Sequence, residues 1–233
     1  MTVRSGAAAA PQVPMIREPV LIECDAVLFD MDGTLVDSTA VVERHWGSWA
    51  TRHALDLAEV LRVSHGRPTI ETLRLVAPHL ATVEEAAQLD AGEAGDSDGL
   101  RPVAGAKELL ASLPPDRWAV VTSAGRALAT RRLDAALLPV PDVLVTPDDV
   151  PFGKPNPMGY VEAARRLGAA PWRSIVLEDA PVGIQAGRAA GAIVIGVTTT
   201  FPTLPGCDYV IPDLRALRLI ESTSSGLRIA VSG

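Results

Sequence analysis

Short apolar runs bounded by polar or turn-forming residues recur along the chain and predict buried strands. The first is Ala26-Val27-Leu28-Phe29, which is short and rich in Val, Leu and Phe. Stretches with helical spacing separate the runs, as at residues 160–167 and from residue 102 onward. An alternation of strands and helices is typical of an α/β fold. The later strands are predicted at residues 118–122, 174–177, 192–197 and 209–211.

Between residues 37 and 102 the apolar residues follow a helical spacing instead. Residues 41–61 and 70–80 show this spacing, and residues 82–94 are acidic, rich in Ala and again helical in pattern. Residues 92–99 combine glycines with acidic residues and are expected to form a flexible connection or hinge. The chain therefore consists of one strand, a helical insert and the remaining strands.

Two aspartates end the first predicted strand. Asp30 and Asp32 are two residues apart, so they share one face of an extended chain. The carboxyl end of a strand is where ligands bind in open α/β sheets. Two carboxylates placed there need a metal ion, a shared proton or both. The other interpretation is a turn cap without chemistry, because Asp and Gly are common turn formers.

Three further features follow in order. The second predicted core strand ends in Thr122-Ser123, and the strand at residues 174–177 ends in Glu178-Asp179. Between them Lys154, one of two lysines in the chain, lies between a glycine and a proline. Taken singly, these are a helix-capping hydroxyl, a solvated lysine and a helix N-cap. Together with Asp30 and Asp32, the four motifs resemble those of the haloacid dehalogenase-like superfamily, whose members are mostly phosphatases.

The resemblance implies a role for each polar residue in phosphate ester hydrolysis. Asp30 would be the nucleophile that forms an aspartyl-phosphate. Asp32 would protonate the leaving alcohol and then deprotonate the attacking water. Thr122 and Ser123 would bind the phosphoryl oxygens, and Lys154 would balance their charge and keep Asp30 ionised.

The same resemblance implies a magnesium site. Asp30 and Asp179 would bind Mg²⁺ through their side chains, and Asp32 through its backbone carbonyl. Glu178 would support these ligands from behind. Such a set of oxygen atoms suits Mg²⁺, which takes a few carboxylates and keeps several waters.

The family fold is a Rossmann-like parallel-sheet core with an inserted helical cap domain. Accordingly, residues 21–37 and 102–233 are expected to form the core, residues 38–101 the cap, and residues 1–20 a disordered tail. A small helical cap at this place resembles the subclass that hydrolyses small phosphorylated metabolites. The chain is most similar there to bacterial sugar and polyol phosphatases and to yeast-type glycerol and deoxyglucose phosphate phosphatases.

Substrate choice is expected to depend on a loop of the insert that contains His65, Arg67 and Glu71. The core motifs contact only the phosphoryl group, which all substrates share. Arg67 offers several donors for hydroxyl groups or for the phosphate. The alternative for Arg67 is an exposed charge at a helix end.

Other reactions of the superfamily fit less well. Dehalogenation does not need Asp32, and phosphonate cleavage needs a cap lysine, which residues 38–101 lack. A mutase of the β-phosphoglucomutase type would carry His where this chain has Val42, although His45 is near. That phosphotransferase and a non-catalytic binding module with the same fold remain the alternatives to a phosphatase.

Composition limits the partners. The net charge of −7 argues against nucleic acid or an anionic membrane, and no apolar run has transmembrane length. Residues 1–20 lack the charged start and apolar centre of a signal peptide. The two cysteines need no disulfide, which suits the cytoplasm. The expected partner is a small phosphate ester, and nothing indicates the oligomeric state.

Overall fold

The computed structural model describes residues 18–233, which contain eleven strands and eight α-helices. The strands are β1 (Val20–Cys24), β2 (Ala26–Phe29), β3 (Val36–Asp37), β4 (Arg101–Pro102), β5 (Trp118–Val121), β6 (Leu144–Val145), β7 (Ser174–Glu178), β8 (Ile193–Val197), β9 (Tyr209–Ile211), β10 (Leu217–Thr223) and β11 (Gly226–Val231). The helices are α1 (Thr39–Arg52), α2 (Leu57–Ser64), α3 (Thr69–Val76), α4 (Val83–Gly95), α5 (Ala106–Ser112), α6 (Arg126–Ala135), α7 (Met158–Arg166) and α8 (Pro181–Ala189).

Six strands of the described chain form a parallel sheet in the order β6-β5-β2-β7-β8-β9. Its central strands β5, β2 and β7 are buried at every residue, which explains their unbroken apolar sequences. One face packs against residues of α5 and α6, and the other against α7 and α8. The predicted α/β fold and all five predicted strands are confirmed.

The helical insert lies between β3 and β4, which pair with each other antiparallel. Arg101 forms an ion pair of 2.8 Å with Asp37 across this pair. The helices α1 to α4 enclose a separate apolar core around Trp46 and Trp49, whose rings meet edge to face with centroids 5.4 Å apart. The insert thus has its own core and joins the sheet through two adjacent strands. The boundaries 21–37, 38–101 and 102–233 remain a proposal for the division into domains.

Two details of the insert differ from the sequence prediction. Residues 41–61 share one helical pattern in sequence but lie in two helices, because the chain turns between α1 and α2 with Ala54 at a φ of +55°. The expected flexible connection at residues 92–99 is helical up to Gly95, where α4 ends. Asp96, just beyond it, is held by Arg44 and His45 of α1 at 2.8 and 3.1 Å.

The ends of the chain also differ. Residues 221–233 are weakly patterned in sequence, yet β10 and β11 form a three-stranded antiparallel sheet with β1. β1 begins at Val20, inside the segment predicted to be a disordered tail, and residues 1–17 of that segment lie outside the described residues. In the part of the chain that is described, no helix is long and apolar enough to cross a membrane.

The C-terminal sheet is expected to contribute directly to stability. Ile229 on β11 is 2% exposed and packs within the same apolar core as the parallel sheet. Ile229→Ala should therefore lower the free energy of unfolding by about 2–4 kcal/mol in urea denaturation. Ile220→Ala is the control, because Ile220 on β10 is 42% exposed and should change stability by less than about 0.5 kcal/mol. Equal effects of the two variants would contradict an integral role for this sheet.

Candidate active site

Three neighbouring strands bring the predicted residues to one edge of the sheet. β5, β2 and β7 are adjacent and parallel, so their carboxyl ends lie side by side. Asp30 follows β2, Thr122 follows β5 and Asp179 follows β7. The backbone N–H of Asp30 donates to the carbonyl of Leu177 at 2.9 Å, which fixes Asp30 against β7. Residues distant in sequence are therefore brought together by strand pairing alone.

Lys154 enters this edge from a loop and is 5% exposed. Its Nζ forms ion pairs with Asp30 and with Oε1 of Glu178, the latter at 2.6 Å. Burial works to lower the pKa of Lys154, but the charges of Asp30 and Glu178 more than offset this and raise it above its usual value. The surroundings of Lys154 therefore favour its charged form at the predicted phosphate site.

Glu178 is completely buried and holds several groups in place. Besides Lys154, its Oε1 accepts a hydrogen bond of 2.8 Å from the Tyr160 hydroxyl. Its Oε2 accepts the backbone N–H groups of Asp179 and Ala180 at 3.1 and 3.2 Å. Glu178 thus connects the lysine loop to the end of β7, and its supporting role toward a metal ion stays a prediction.

Asp30, Glu178 and Asp179 form a buried acidic group in which one oxygen of each lies within 4.8 Å of the other two. Burial, followed by the charges of neighbouring carboxylates, raises the pKa of Asp30 and raises that of Asp179 well above its usual value. Asp179 has both carboxylate oxygens buried, and neither accepts a well-formed hydrogen bond within residues 18–233. A buried carboxylate without a donor is costly unless a cation is bound to it.

These residues fit a hard divalent cation. The donors are carboxylate oxygens, which Mg²⁺ prefers. Gly33 lets the backbone approach the Asp179 carboxylate closely, because a Cβ at this position would lie 2.0 Å from Oδ2 of Asp179. Gly33 also has a φ of +80°, which favours glycine. Of the predicted ligands, the structure brings Asp30 and Asp179 together, whereas Asp32 was expected to contribute only its backbone carbonyl.

The Asp32 side chain is not a member of the acidic group and pairs with Arg132 instead. Its Oδ2 lies 2.8 Å from Nη1 of Arg132 on α6, and its Oδ1 has no hydrogen-bond partner in the described part of the chain. Arg132 also forms an ion pair with Glu93 of α4 in the helical insert. Asp30 and Asp32 both line a cavity between the sheet edge and the insert.

Thr122 and Ser123 line the same cavity. The Thr122 hydroxyl accepts the backbone N–H of Ala124 at 3.0 Å. The Ser123 hydroxyl donates to the carbonyl of Gly66 in the insert at 2.8 Å. Gly66 has a φ of +77°, and a Cβ there would meet Val182 at 2.8 Å, so the insert loop lies directly against the sheet edge. Ser123 thus contacts the insert in addition to lying at the predicted phosphate site.

The three predicted substrate residues are placed differently. His65 and Arg67 line the cavity, whereas Glu71 is not among its lining residues and lies near Gly153 of the lysine loop. Arg67 is half-buried and its Nη1 donates to the carbonyl of Val63 at 3.1 Å. The ring of His65 packs edge to face on Phe201, and burial lowers the pKa of His65. The role of all three in substrate binding stays a prediction.

Sequence reasoning missed several polar residues of this site. Each is charged or polar and stands on a predicted helix, in a loop or at a helix end, where a side chain is ordinarily expected to be exposed to solvent. Tyr160 contacts Glu178, and the others line the cavity. The missed residues that line the cavity are Thr69, Asp90, Glu93 and Arg132.

Comparison with known proteins agrees with this arrangement. A family model described as haloacid dehalogenase-like hydrolase matches residues 24–191. Hexitol phosphatase A of Escherichia coli (strain K12) is 39% identical, covering 89% of this chain and 100% of its own length. For 2-deoxyglucose-6-phosphate phosphatase 1 of Saccharomyces cerevisiae the identity is 34%, covering 89% of this chain and 95% of the relative.

Among solved structures, a hydrolase from Pseudomonas syringae superposes with a TM-score of 0.71 at 26% identity, covering 82% of this chain and 94% of the other. The fold class expected from the resemblance, a parallel-sheet core with an inserted helical cap, is thereby confirmed. The helical insert is the cap of this fold. With its four motifs in order and a family match over most of its length, the chain belongs to the haloacid dehalogenase-like hydrolases.

Proposed function

We propose that this protein is a Mg²⁺-dependent phosphatase of small phosphorylated metabolites, in particular sugar or polyol phosphates, in the cytoplasm. The observation that carries the proposal is the buried contact of Lys154 with Asp30, beside the unpaired carboxylate of Asp179. This arrangement combines a nucleophile, a fixed positive charge and a position for a cation at one edge of the sheet. The names of the relatives, a hexitol phosphatase and a 2-deoxyglucose-6-phosphate phosphatase, support the substrate class.

The residues divide the reaction between two carboxylates. A carboxylate oxygen of Asp30 attacks phosphorus, the bond to the alcohol oxygen breaks, and an aspartyl-phosphate forms. Asp32 gives its proton to the departing alcohol oxygen. In the second half, Asp32 takes a proton from water, whose oxygen attacks the same phosphorus. Phosphate leaves, and Asp30 is regenerated as a carboxylate.

The surrounding groups stabilise the charge that develops on the phosphoryl oxygens. Lys154 provides a fixed ammonium, and Thr122 and Ser123 provide hydroxyl donors. Mg²⁺ would be held by Asp30, Asp179 and the backbone carbonyl of Asp32. When bound, the ion would supply positive charge against the phosphoryl oxygens.

The two alternatives are less well supported. In a mutase of the β-phosphoglucomutase type a histidine is expected where Val42 lines the cavity. His45 does not replace it, because its Nε2 lies 3.1 Å from Asp96 and His45 is not among the residues that line the cavity in the described structure. A binding module would not need a nucleophile and a lysine buried in contact.

Asp30→Asn should abolish phosphate release, because an amide cannot act as the nucleophile. We expect a loss of about 1,000-fold or more in kcat, measured as free phosphate from a hexitol phosphate with Mg²⁺ present. Asp142→Asn, at an exposed position remote from the cavity, is the matched control and should leave the rate unchanged. Activity of Asp30→Asn within about tenfold of wild type would contradict the assignment.

Asp179→Asn should raise the Mg²⁺ concentration needed for half-maximal activity by about tenfold or more, because a charged ligand is lost. The midpoint of thermal unfolding provides a second measurement. Added Mg²⁺ should raise it in wild type, and the variant should show little of this shift. A metal titration identical to that of wild type would exclude Asp179 as a ligand.

Arg67→Ala tests the cap loop. If Arg67 contacts hydroxyl groups, kcat/KM on the best hexitol phosphate should fall about tenfold more than on p-nitrophenyl phosphate, which lacks them. Arg74→Ala, at an exposed position on α3, is the control and should alter neither value. A uniform loss on both esters would restrict Arg67 to phosphate binding, and no loss on either would make it an exposed charge at a helix end.

A further inference from the structure

Arg132 occupies an unusual position for an arginine, since it is 4% exposed. It belongs to α6, the helix that follows Thr122, and its two terminal nitrogens contact carboxylates from different parts of the chain. Nη1 lies 2.8 Å from Oδ2 of Asp32, and Nη2 pairs with Glu93 of the cap. One guanidinium therefore connects the sheet edge to the cap.

Stability alone is a weak reason for this arrangement. Taking the guanidinium and the Glu93 carboxylate out of water costs several kcal/mol per ion, and apolar groups of the same size are often as stable. The planar guanidinium instead gives fixed directions to its donors, so it holds both partners in one relative geometry. The pair with Asp32 and the pair with Glu93 are thus geometrically coupled.

Asp32 depends on this contact for its orientation. It lies on the turn after β2, and within residues 18–233 its only ion pair is with Arg132. Its other oxygen, Oδ1, accepts no hydrogen bond from the described residues. Oδ1 is itself buried, so the ion pair of Oδ2 with Arg132 fixes the orientation of the carboxylate. A general acid and base must lie within hydrogen-bond reach of the oxygen that it protonates, so its rotamer affects the rate.

Glu93, the second carboxylate that pairs with Arg132, belongs to the cap. It stands near the end of α4, and α4 packs directly on α6. The neighbouring Arg131 makes a different contact between the same helices, since its Nη1 donates to the backbone carbonyl of Ala94 at 3.2 Å. Arg131 is exposed and does not contact Asp32, so it provides a control for helix docking without the catalytic contact.

We propose that Arg132 is a positioning residue that orients Asp32 when Glu93 of the docked cap holds the guanidinium in place. This proposal rests on the phosphatase function proposed above and adds two residues that the four motifs do not include. Proton transfer by Asp32 is thereby coupled to the cap position. Transfer of the phosphoryl group to Asp30 does not pass through Arg132.

The test compares two leaving groups. An alkyl phosphate such as a hexitol phosphate needs a proton on its leaving oxygen, whereas p-nitrophenyl phosphate needs little. Arg132→Met should lower kcat/KM, which reports the formation of the aspartyl-phosphate, by about 100-fold on the alkyl ester and by less than about threefold on the aryl ester. Both esters share the later step in which Asp32 activates water, so kcat itself should fall on both. Glu93→Gln should show the same selectivity with a smaller loss. Asp32→Asn removes the acid itself and should therefore show the largest difference between the two esters. Arg132→Lys should recover part of the rate that Arg132→Met loses.

The controls separate positioning from folding. Arg131→Gln should change kcat/KM on either ester by less than about twofold, because it removes only the helix contact. If Arg132→Met and Glu93→Gln each lowered kcat/KM equally on both esters and lowered the thermal midpoint, the pair would have a structural role and the proposal would be overturned. An increase in alkyl ester hydrolysis would also overturn it, since Arg132 would then restrain Asp32. Wild-type enzyme that hydrolyses neither ester with Mg²⁺ would instead overturn the phosphatase function itself.

Discussion

The burial of three carboxylates around one lysine is the constraint on which the site depends. Asp30, Glu178 and Asp179 lie together at the edge of the sheet, and Lys154 pairs with the first two. Buried carboxylates become protonated unless positive charge or donors compensate them. Lys154 provides one charge, and backbone N–H groups and Tyr160 satisfy Glu178. Asp179 is left without a comparable donor, and this imbalance is the physical reason for expecting a cation.

The cap extends this charge arrangement to the far side of the cavity. Two of the contacts between the core and the cap lie beside the site, where Ser123 donates to Gly66 and where Arg132 of α6 pairs with Glu93. The first contact involves Ser123, which is predicted to bind the phosphoryl group. The second involves Arg132, which also pairs with Asp32. A cap that docks through groups beside the reacting atoms is placed both to exclude water and to align the reaction, as lids generally do.

Much of the site could be predicted from the sequence, because its residues follow short apolar strands directly. Asp30, Thr122 and Asp179 each stand at the end of such a strand, and parallel pairing brings strand ends together. The Arg132–Glu93 pair joins residues 39 positions apart, each of which alone is typical of a solvated helix face. The C-terminal sheet was missed for a similar reason, since its stability depends on pairing between β1 and β11 rather than on local pattern.

The most direct test of this account is a crystal structure with Mn²⁺ in place of Mg²⁺, using anomalous scattering to locate the ion. The account predicts one strong peak bound by carboxylate oxygens of Asp30 and Asp179, at a distance of about 2.1 Å, close to the value typical of Mg²⁺ sites. Glu178 should remain paired with Lys154. A peak bound elsewhere, or none beside Asp179 at saturating Mn²⁺, would contradict the claim that the buried acidic group is a metal site.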